Sequence, residues 1–321
     1  MTRMEKVLIT GADGFVGRAA CVRLQALGYE VMRVVRTSRT DGAISVKDLV
    51  GFENWDRLLR GVDFVVHLAA RAHVLNDTAA DPMEEFRRVN VTMTLQLARA
   101  AAAAGVRKFV FLSSIGVNGN YTTDYPFAES DRPNPSEPYA TSKWEAEQGL
   151  IHIGGHTDMR ITRIRPPLIL GPGVKGNLLR LLKLVDRGVP LPFGAIRNSR
   201  SFVTLDDLCE LLCLCLTQQR ADGEMFLAAN EEVISTPDLV RAIATGLGRQ
   251  VWLISVPLPI LRVVTGLIGA GAHLRRMTSS LRVDATRART SLDWKSRTGI
   301  SDAIISMAQA YLREKKRLDV G

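Results

Sequence analysis

Lys6-Val7-Leu8-Ile9-Thr10-Gly11-Ala12-Asp13-Gly14-Phe15-Val16-Gly17 decides the fold. Lys6 to Thr10 reads as a buried strand, and the residues from Gly17 to Leu27 read as a helix. Between them the glycines repeat as GxxGxxG. The first permits a tight turn, the second lets a pyrophosphate approach the backbone, and the third lets helix and strand pack closely. Phe15 and Val16 lie in this turn just before the helix, whose free N–H groups and partial positive charge suit phosphate. Gly11, Gly14, Phe15, Val16 and Gly17 are therefore candidate dinucleotide contacts.

Working outward, Glu30–Val35, Phe64–Leu68, Lys108–Ser113, Ile161–Ile164 and Met225–Ala228 read as further strands. One long helix is predicted from Met83 to Ala104, closed by Gly105. Short apolar runs alternating with helices predict an α/β, Rossmann-type, doubly wound parallel sheet. After Gly171 the pattern becomes Gly/Pro-punctuated and then helical, which predicts a smaller, mostly helical C-terminal substrate lobe. The expected division is 1–170 plus about 200–234 for the dinucleotide-binding domain, and 171–199 plus about 235–321 for the second lobe. Residues 200–230 are expected to complete the large sheet.

The end of the second strand bears on the cofactor. NAD sites usually carry Asp or Glu there, whereas this chain reads Val34-Val35-Arg36-Thr37-Ser38-Arg39, with no carboxylate before Asp41. Arg36 could stack on adenine and pair with a 2′-phosphate, with Ser38 or Arg39 assisting, so NADP(H) is favoured and NAD(H) stays open. A solvated basic loop is the plainer alternative. Asp48 and Leu49 fall where an adenine-edge contact often sits.

Tyr139 and Lys143 are four residues apart, on one helix face. A phenol with a pKa of about 10 is a poor acid or base near neutrality. A nearby ammonium and a positive nicotinamide ring are expected to lower that value. Ser113 and Ser114 end the preceding strand and bring a hydroxyl to the same sheet edge.

These residues, with Thr10–Gly17, His67–Ala70, Asn90, Arg165-Pro166-Pro167 and Arg200–Asp207, carry a resemblance over essentially the whole chain. It resembles the extended short-chain dehydrogenase/reductases, the NAD-dependent epimerase/dehydratase family, in the subgroup acting on nucleotide sugars. The resemblance implies Ser114, Tyr139 and Lys143 as the catalytic triad, with Lys143 also on the nicotinamide ribose and Ser114 also touching substrate. It implies that Leu68, Ala69 and Ala70 line the cofactor, that Pro167 sits by the nicotinamide amide, and that Asn177 and Arg200 hold a UDP-sugar diphosphate. Asn177 could instead cap the helix Leu178–Val185, and Arg200 could pair with Asp206. Arg275, Arg276 and Arg282 lie in a segment expected to fold over the cleft.

Departures from the family narrow the chemistry. Where sugar 4,6-dehydratases carry an Asp-Glu pair, this chain has Ile115 and Gly116; where epimerases carry a Tyr in a VYG motif, it has Asn118. No Cys lies near the cleft segments to serve as the acid/base of a fucose-type epimerase-reductase. The stretches His67–Thr78, Ser113–Gly119 and Pro192–Asp207 look closest to bacterial UDP-4-keto-6-deoxy-N-acetylhexosamine 4-reductases, of the UDP-N-acetylquinovosamine or fucosamine type. A UDP-hexose or UDP-N-acetylhexosamine 4-epimerase with tightly bound NAD is the alternative. A steroid- or flavonoid-type reductase and a non-catalytic nucleotide sensor are the readings from other classes.

Composition excludes several functions. The 321 residues carry 42 Lys and Arg against 33 Asp and Glu, a net charge of +9, yet no block of five like charges, so a nucleic-acid arm is not expected. Cys209, Cys213 and Cys215 lie on an apolar helical stretch with no His nearby, so buried thiols of a reducing, cytoplasmic protein are expected rather than a metal site. The N-terminus leads straight into a strand without a signal-peptide core. Val251–Leu274 is broken by Pro257, Pro259 and Arg262, too short an uncharged run to span a bilayer, so no stable membrane insertion is expected. Packing against the second lobe is preferred there over a peripheral membrane role. A homodimer through the helices Met83–Ala104 and Tyr139–Gly149 is implied by the resemblance.

Overall fold

Val7, Leu8 and Ile9 are wholly buried in β1 (Lys6–Thr10), as a strand covered on both faces requires. The computed structural model describes residues 3–37, 42–72, 81–267 and 271–320. α1 (Phe15–Ala26), β2 (Glu30–Val35), β3 (Ala43–Ser45), α2 (Trp55–Leu59) and β4 (Phe64–His67) follow. Asp81 accepts from the Met83 and Glu84 N–H groups and starts α3 (Pro82–Arg87), with Pro82 in the first turn. A π-helical turn, Arg88–Thr92, then leads into α4 (Met93–Ala103). The single helix expected here is thus interrupted. Apolar periodicity cannot reveal one inserted residue, and such bulges recur at functional sites.

The chain continues through β5 (Lys108–Leu112), α5 (Pro138–Gly155), β6 (Arg160–Arg165), β7 (Leu168–Leu170), α6 (Gly176–Asp186), β8 (Arg200–Thr204) and α7 (Leu205–Thr217). It ends with β9 (Met225–Leu227), β10 (Val233–Ile234), α8 (Thr236–Gly246), α9 (Leu258–Leu267), α10 (Gly271–Thr278), α11 (Thr286–Leu292) and α12 (Ile300–Val320).

Seven strands form one sheet in the order β3-β2-β1-β4-β5-β6-β9, with every adjacent pair parallel. Leu24 of α1 and Leu212 of α7 cover one face, while Leu97 of α4 and Leu150 of α5 cover the other. This is the expected doubly wound α/β architecture. The strand order reverses between β1 and β4, and ligand crevices of such sheets open at the carboxyl ends beside that switch.

One expectation for residues 200–230 fails. β9 joins the large sheet beside β6, but β8 pairs with β7 and β10 in a separate three-stranded sheet. β8 lies between two cores: Phe202 belongs to the second-lobe cluster and Val203 to that of the large sheet. Period-two hydrophobicity marks a strand without specifying its partners. Within 251–274 the expected packing holds for only some of the described side chains. Val251 and Leu253 pack on the second-lobe core and Leu261 is buried, whereas Trp252, Ile254, Ile260 and Val263 are exposed. No described helix is long and apolar enough to cross a membrane.

Candidate active site

The glycine turn stands at the switch point. Gly11 has a left-handed φ of 66°, and a Cβ there would lie 2.9 Å from the Ala69 nitrogen. A Cβ on Gly17 would overlap the Gly11 carbonyl oxygen, so helix and turn pack as closely as the motif predicts. α1 has Gly14 as its N-cap and no side-chain cap, leaving the first-turn N–H groups of Phe15 and Val16 for an anion. This cradle fits a dinucleotide pyrophosphate.

The floor beside it is fixed by a hydrogen-bond chain through a buried imidazole. The Thr94 hydroxyl donates to the Asn90 carbonyl at 2.8 Å, so it accepts from His67 Nε2–H at 2.9 Å. His67 Nδ1 then accepts from the Thr10 hydroxyl at 2.6 Å, and Thr10 Oγ1 accepts from the Ala69 N–H at 3.3 Å. His67 is thus held neutral. Burial, with Lys143 adding repulsion, pulls it down to about 3. Leu68, Ala69 and Ala70 are half-buried, and the backbone of Leu68 and Ala69 backs directly onto Gly11.

Arg36 follows the carboxyl end of β2 and is exposed; Ser38, Arg39 and Asp41 lie outside the described residues, as do His73–Thr78 of the reductase-like stretch. Asp48 accepts from the Val50 N–H at 2.9 Å and pairs with Arg88 at 3.0 Å, contacts that hold its carboxyl below the usual range. Leu49 beside it is buried.

Tyr139 and Lys143 share one face of α5, which starts with Pro138. Tyr139 meets Phe86 edge-on at 6.3 Å, and the Lys143 ammonium stands 4.2 Å from the centroid of the Phe111 ring. The expected lowering of the phenol's pKa is absent from the chain by itself: burial pushes Tyr139 up to about 12, with no opposing cation. Burial pulls Lys143 down to about 7, against the attraction of Glu147.

The structure separates the two serines. Ser114 caps the short turn Ile115–Val117 by accepting from the Gly116 N–H at 3.1 Å, which leaves its hydroxyl proton free to donate. A Cβ on Gly116 would lie 3.2 Å from Ala140 Cβ and 3.4 Å from Ser114 Oγ, so the turn that Ser114 caps packs on the first turn of α5. Ser113 points inward and donates to the Glu147 carboxylate. Pro167, buried after β6, joins this edge through the Ile115 N–H, which donates to the Pro166 carbonyl at 3.0 Å.

The sequence reading missed what lies beneath. Glu147 is one turn beyond Lys143, and its two oxygens take the Arg165 fork at 2.9 and 2.6 Å. Arg165 also donates to Asn118 Oδ1 at 2.9 Å. Both ions are buried, with side-chain exposures of 3% and 0%. Asn90, in the π turn, spans the cleft floor: it bonds both backbone groups of Arg71 and donates to the Ser142 hydroxyl at 2.9 Å. The four-residue spacing Tyr139, Lys143, Glu147 was a visible signal for the first of these.

Segments from β8 onward meet this edge. Arg200 does not pair with Asp206; it donates to the Arg276 and Ser279 carbonyls at 2.6 and 3.0 Å. Arg276 reaches Glu137, two residues before Tyr139, at 2.7 Å, and Arg282 donates to the Thr123 and Asp124 carbonyls. Those two arginines are therefore spent on protein contacts, while Arg275 is exposed. Asn177 is not a cap either. It is the second residue of α6, whose N-cap is Lys175, and its amide has no partner among the described residues. Its loop crosses the start of α1, since a Cβ on Gly171 would lie 3.5 Å from Phe15. Cys21, Cys209, Cys213 and Cys215 are buried away from this edge, and burial pushes Cys209 up to about 12. A cavity of about 680 Å³ opens at the opposite, amino edge of the sheet, between Glu5, Arg107, Lys108 and Arg160, remote from all these groups.

Comparison with known proteins agrees with this geometry. The NAD dependent epimerase/dehydratase family matches residues 7–229. The UDP-glucose 4-epimerase of Vibrio cholerae is 35% identical over 319 residues, spanning 98% of this chain and 97% of that protein. The N-acetyl-alpha-D-glucosaminyl-diphospho-ditrans,octacis-undecaprenol 4-epimerase of Escherichia coli O157:H7 is 26% identical over 304 residues, 89% of each chain. The solved structure of MoeE5 in complex with UDP-glucose and NAD matches with a TM-score of 0.78 at 25% identity, covering 97% of this chain and 99% of that one. The chain belongs to the NAD dependent epimerase/dehydratase family and is an enzyme of the extended short-chain dehydrogenase/reductase type.

Proposed function

We propose that the enzyme reduces or oxidises C4 of a UDP-linked 4-keto-6-deoxy-N-acetylhexose with NADP(H), Tyr139 exchanging the proton. What supports this reading is that Tyr139 and Lys143 share a face of α5, that the turn capped by Ser114 packs against α5 at Ala140, and that Ile115 and Gly116 offer no second acid or base. The V. cholerae and E. coli relatives are both named for C4 chemistry on a sugar attached to a diphosphate.

In this mechanism the first-turn N–H groups of Phe15 and Val16 hold the pyrophosphate. Arg36 takes the 2′-phosphate, Asp48 and Leu49 flank the adenine, and Leu68, Ala69, Ala70 and Pro167 line the cleft towards the nicotinamide. The bound cofactor supplies or accepts hydride. Lys143 binds the adjoining ribose and opposes the raised pKa of Tyr139. Ser114 donates to the C4 oxygen, and Tyr139 gives that oxygen its proton on reduction. Asn177 and Arg200 hold the diphosphate, an amide and a guanidinium fork suiting a dianion. Arg200 comes to this role with its guanidinium orientation fixed by two carbonyls.

The corresponding domain division is 1–170 plus about 200–234 and 171–199 plus about 235–321. The buried thiols fit a reducing cytoplasm. A homodimer through α3–α4 and α5 completes the proposal.

The V. cholerae relative favours one second reading, a 4-epimerase that keeps NAD bound. The same residues would then serve both hydride transfers. Releasing and identifying nucleotide from the purified protein separates the two. Exchangeable NADP(H) supports the reductase, and stoichiometric, non-exchanging NAD supports the epimerase. Titrating UDP into the cofactor-loaded protein tests the substrate class: absence of binding at millimolar UDP would exclude a UDP-sugar.

A further inference from the structure

The second lobe carries an apolar surface that the proposed chemistry does not use. Trp252 is 69% exposed, Val263 66%, Ile260 53% and Ile254 52%. These are not loose ends of chain. Residues 251–254 pair with Leu191, whose N–H donates to the Trp252 carbonyl at 2.8 Å and whose carbonyl accepts from the Ile254 N–H at 2.9 Å. The alternation this imposes turns Val251 and Leu253 onto the lobe core and leaves Trp252 and Ile254 facing out. In α9, Leu261 is buried, while Ile260 and Val263, three residues apart, share the outward side.

The segment that carries this surface has charges of one sign, of which Arg241, Arg249 and Arg276 pair with Asp238, Asp186 and Glu137 outside it. From residue 239 to 283 the chain contains Arg241, Arg249, Arg262, Arg275, Arg276 and Arg282 and not one Asp or Glu. Of these, Arg262 in α9 and Arg275 in α10 are exposed. We infer that this face, centred on Trp252, Ile254, Ile260 and Val263, docks the enzyme on an anionic lipid surface.

A short helix with apolar side chains outward and arginine beside them suits the plane of a headgroup layer, where tryptophan also partitions well. At ten residues α9 is too short to cross, so it lies in the plane. A second copy of the chain is the poorer occupant. Two-fold pairing of this face with itself would set guanidinium against guanidinium, with no carboxylate from the segment to neutralise either. The consequence for the enzyme is positional. α10 follows α9, and its Arg276 contacts Glu137 at the start of the Tyr139 helix, so the docking face is linked through α10 to the helix that carries Tyr139. None of this depends on which cofactor or sugar the cleft takes.

The full chain should float with vesicles of equimolar phosphatidylglycerol and phosphatidylcholine at about 0.15 M salt, and much less with phosphatidylcholine alone. Brominated acyl chains should quench its fluorescence chiefly through Trp252, because Trp55 and Trp294 are buried and Trp144 is half-buried. The double variant Trp252→Ser/Val263→Ser, confirmed as folded by its melting profile, should lose partitioning on the order of a hundredfold. Failure to float with anionic vesicles overturns the proposal, as does a variant that floats like the wild type. It is equally overturned if the double substitution dissolves a dimer, or abolishes capture of an acidic protein, without changing lipid binding.

Discussion

Glu147→Gln removes one charge from beneath the candidate site and should be felt in two separate measurements. The carboxylate takes both arms of the Arg165 fork and the Ser113 hydroxyl, all buried. Removing one partner of a buried pair strands the other, at a cost of about 3–5 kcal/mol. For a chain of this size that lowers the melting temperature by roughly 5–10 °C. The second effect is electrostatic. At the ~6 Å typical of an i, i+4 pair and an effective dielectric of about 20, the attraction on Lys143 is worth about 2–3 kcal/mol. Lys143 already stands at about 7. Without the carboxylate it should fall to roughly 5–6, so that its charged fraction at neutral pH drops from about a half to under a tenth. The assays are thermal denaturation and the pH profile of kcat/KM, whose alkaline limb should move to lower pH. Replacing the pair by Glu147→Leu/Arg165→Met should restore most of the stability but not the limb. A Glu147→Gln enzyme with wild-type melting temperature and an unmoved limb would refute both arguments.

Three further outcomes follow from the same contacts. Tyr139→Phe should cost on the order of 10²–10⁴ in kcat while cofactor binding, read by fluorescence titration, stays nearly intact. Arg36→Asp should shift preference from NADPH towards NADH by about ten- to a hundredfold in kcat/KM; a wild-type enzyme that already prefers NADH contradicts this. His67, held at about 3 when folded, leaves the unfolded chain to bind the extra proton below about 6.5. Its contribution to stability is complete above 6.5 and is lost as pH falls towards 3. His67→Gln should therefore flatten the dependence of the denaturation midpoint on pH across that window.

What the sequence revealed were features written into local backbone geometry and spacing. The glycine turn was legible because GxxGxxG at a strand–helix junction encodes close backbone approaches, and Gly11 and Gly17 make them. Tyr139 and Lys143 were legible from helical spacing read together with the glycine turn and the serine-ended strand that precede them. Three things needed coordinates. β8 changed sheets, because an alternating pattern describes faces and not partners. The π turn at Arg88–Thr92 leaves no trace in apolar periodicity. Arg276 and Arg282, placed by sequence over the cleft, are held by Glu137 and by loop carbonyls that lie far away along the chain. The phenol was the other difference: burial acts on Tyr139 against the expected activation, so the charge that opposes it must come from the assembled site.

Net, NADPH-consuming reduction at the sugar's C4 is read out by incubating the purified enzyme with UDP-4-keto-6-deoxy-N-acetylglucosamine and following nicotinamide absorbance. Oxidation of NADPH stoichiometric with formation of the C4 alcohol is expected, with NADH a poorer donor. Inertness towards that ketone, together with interconversion of UDP-hexose C4 epimers on tightly bound NAD without net cofactor turnover, would contradict it.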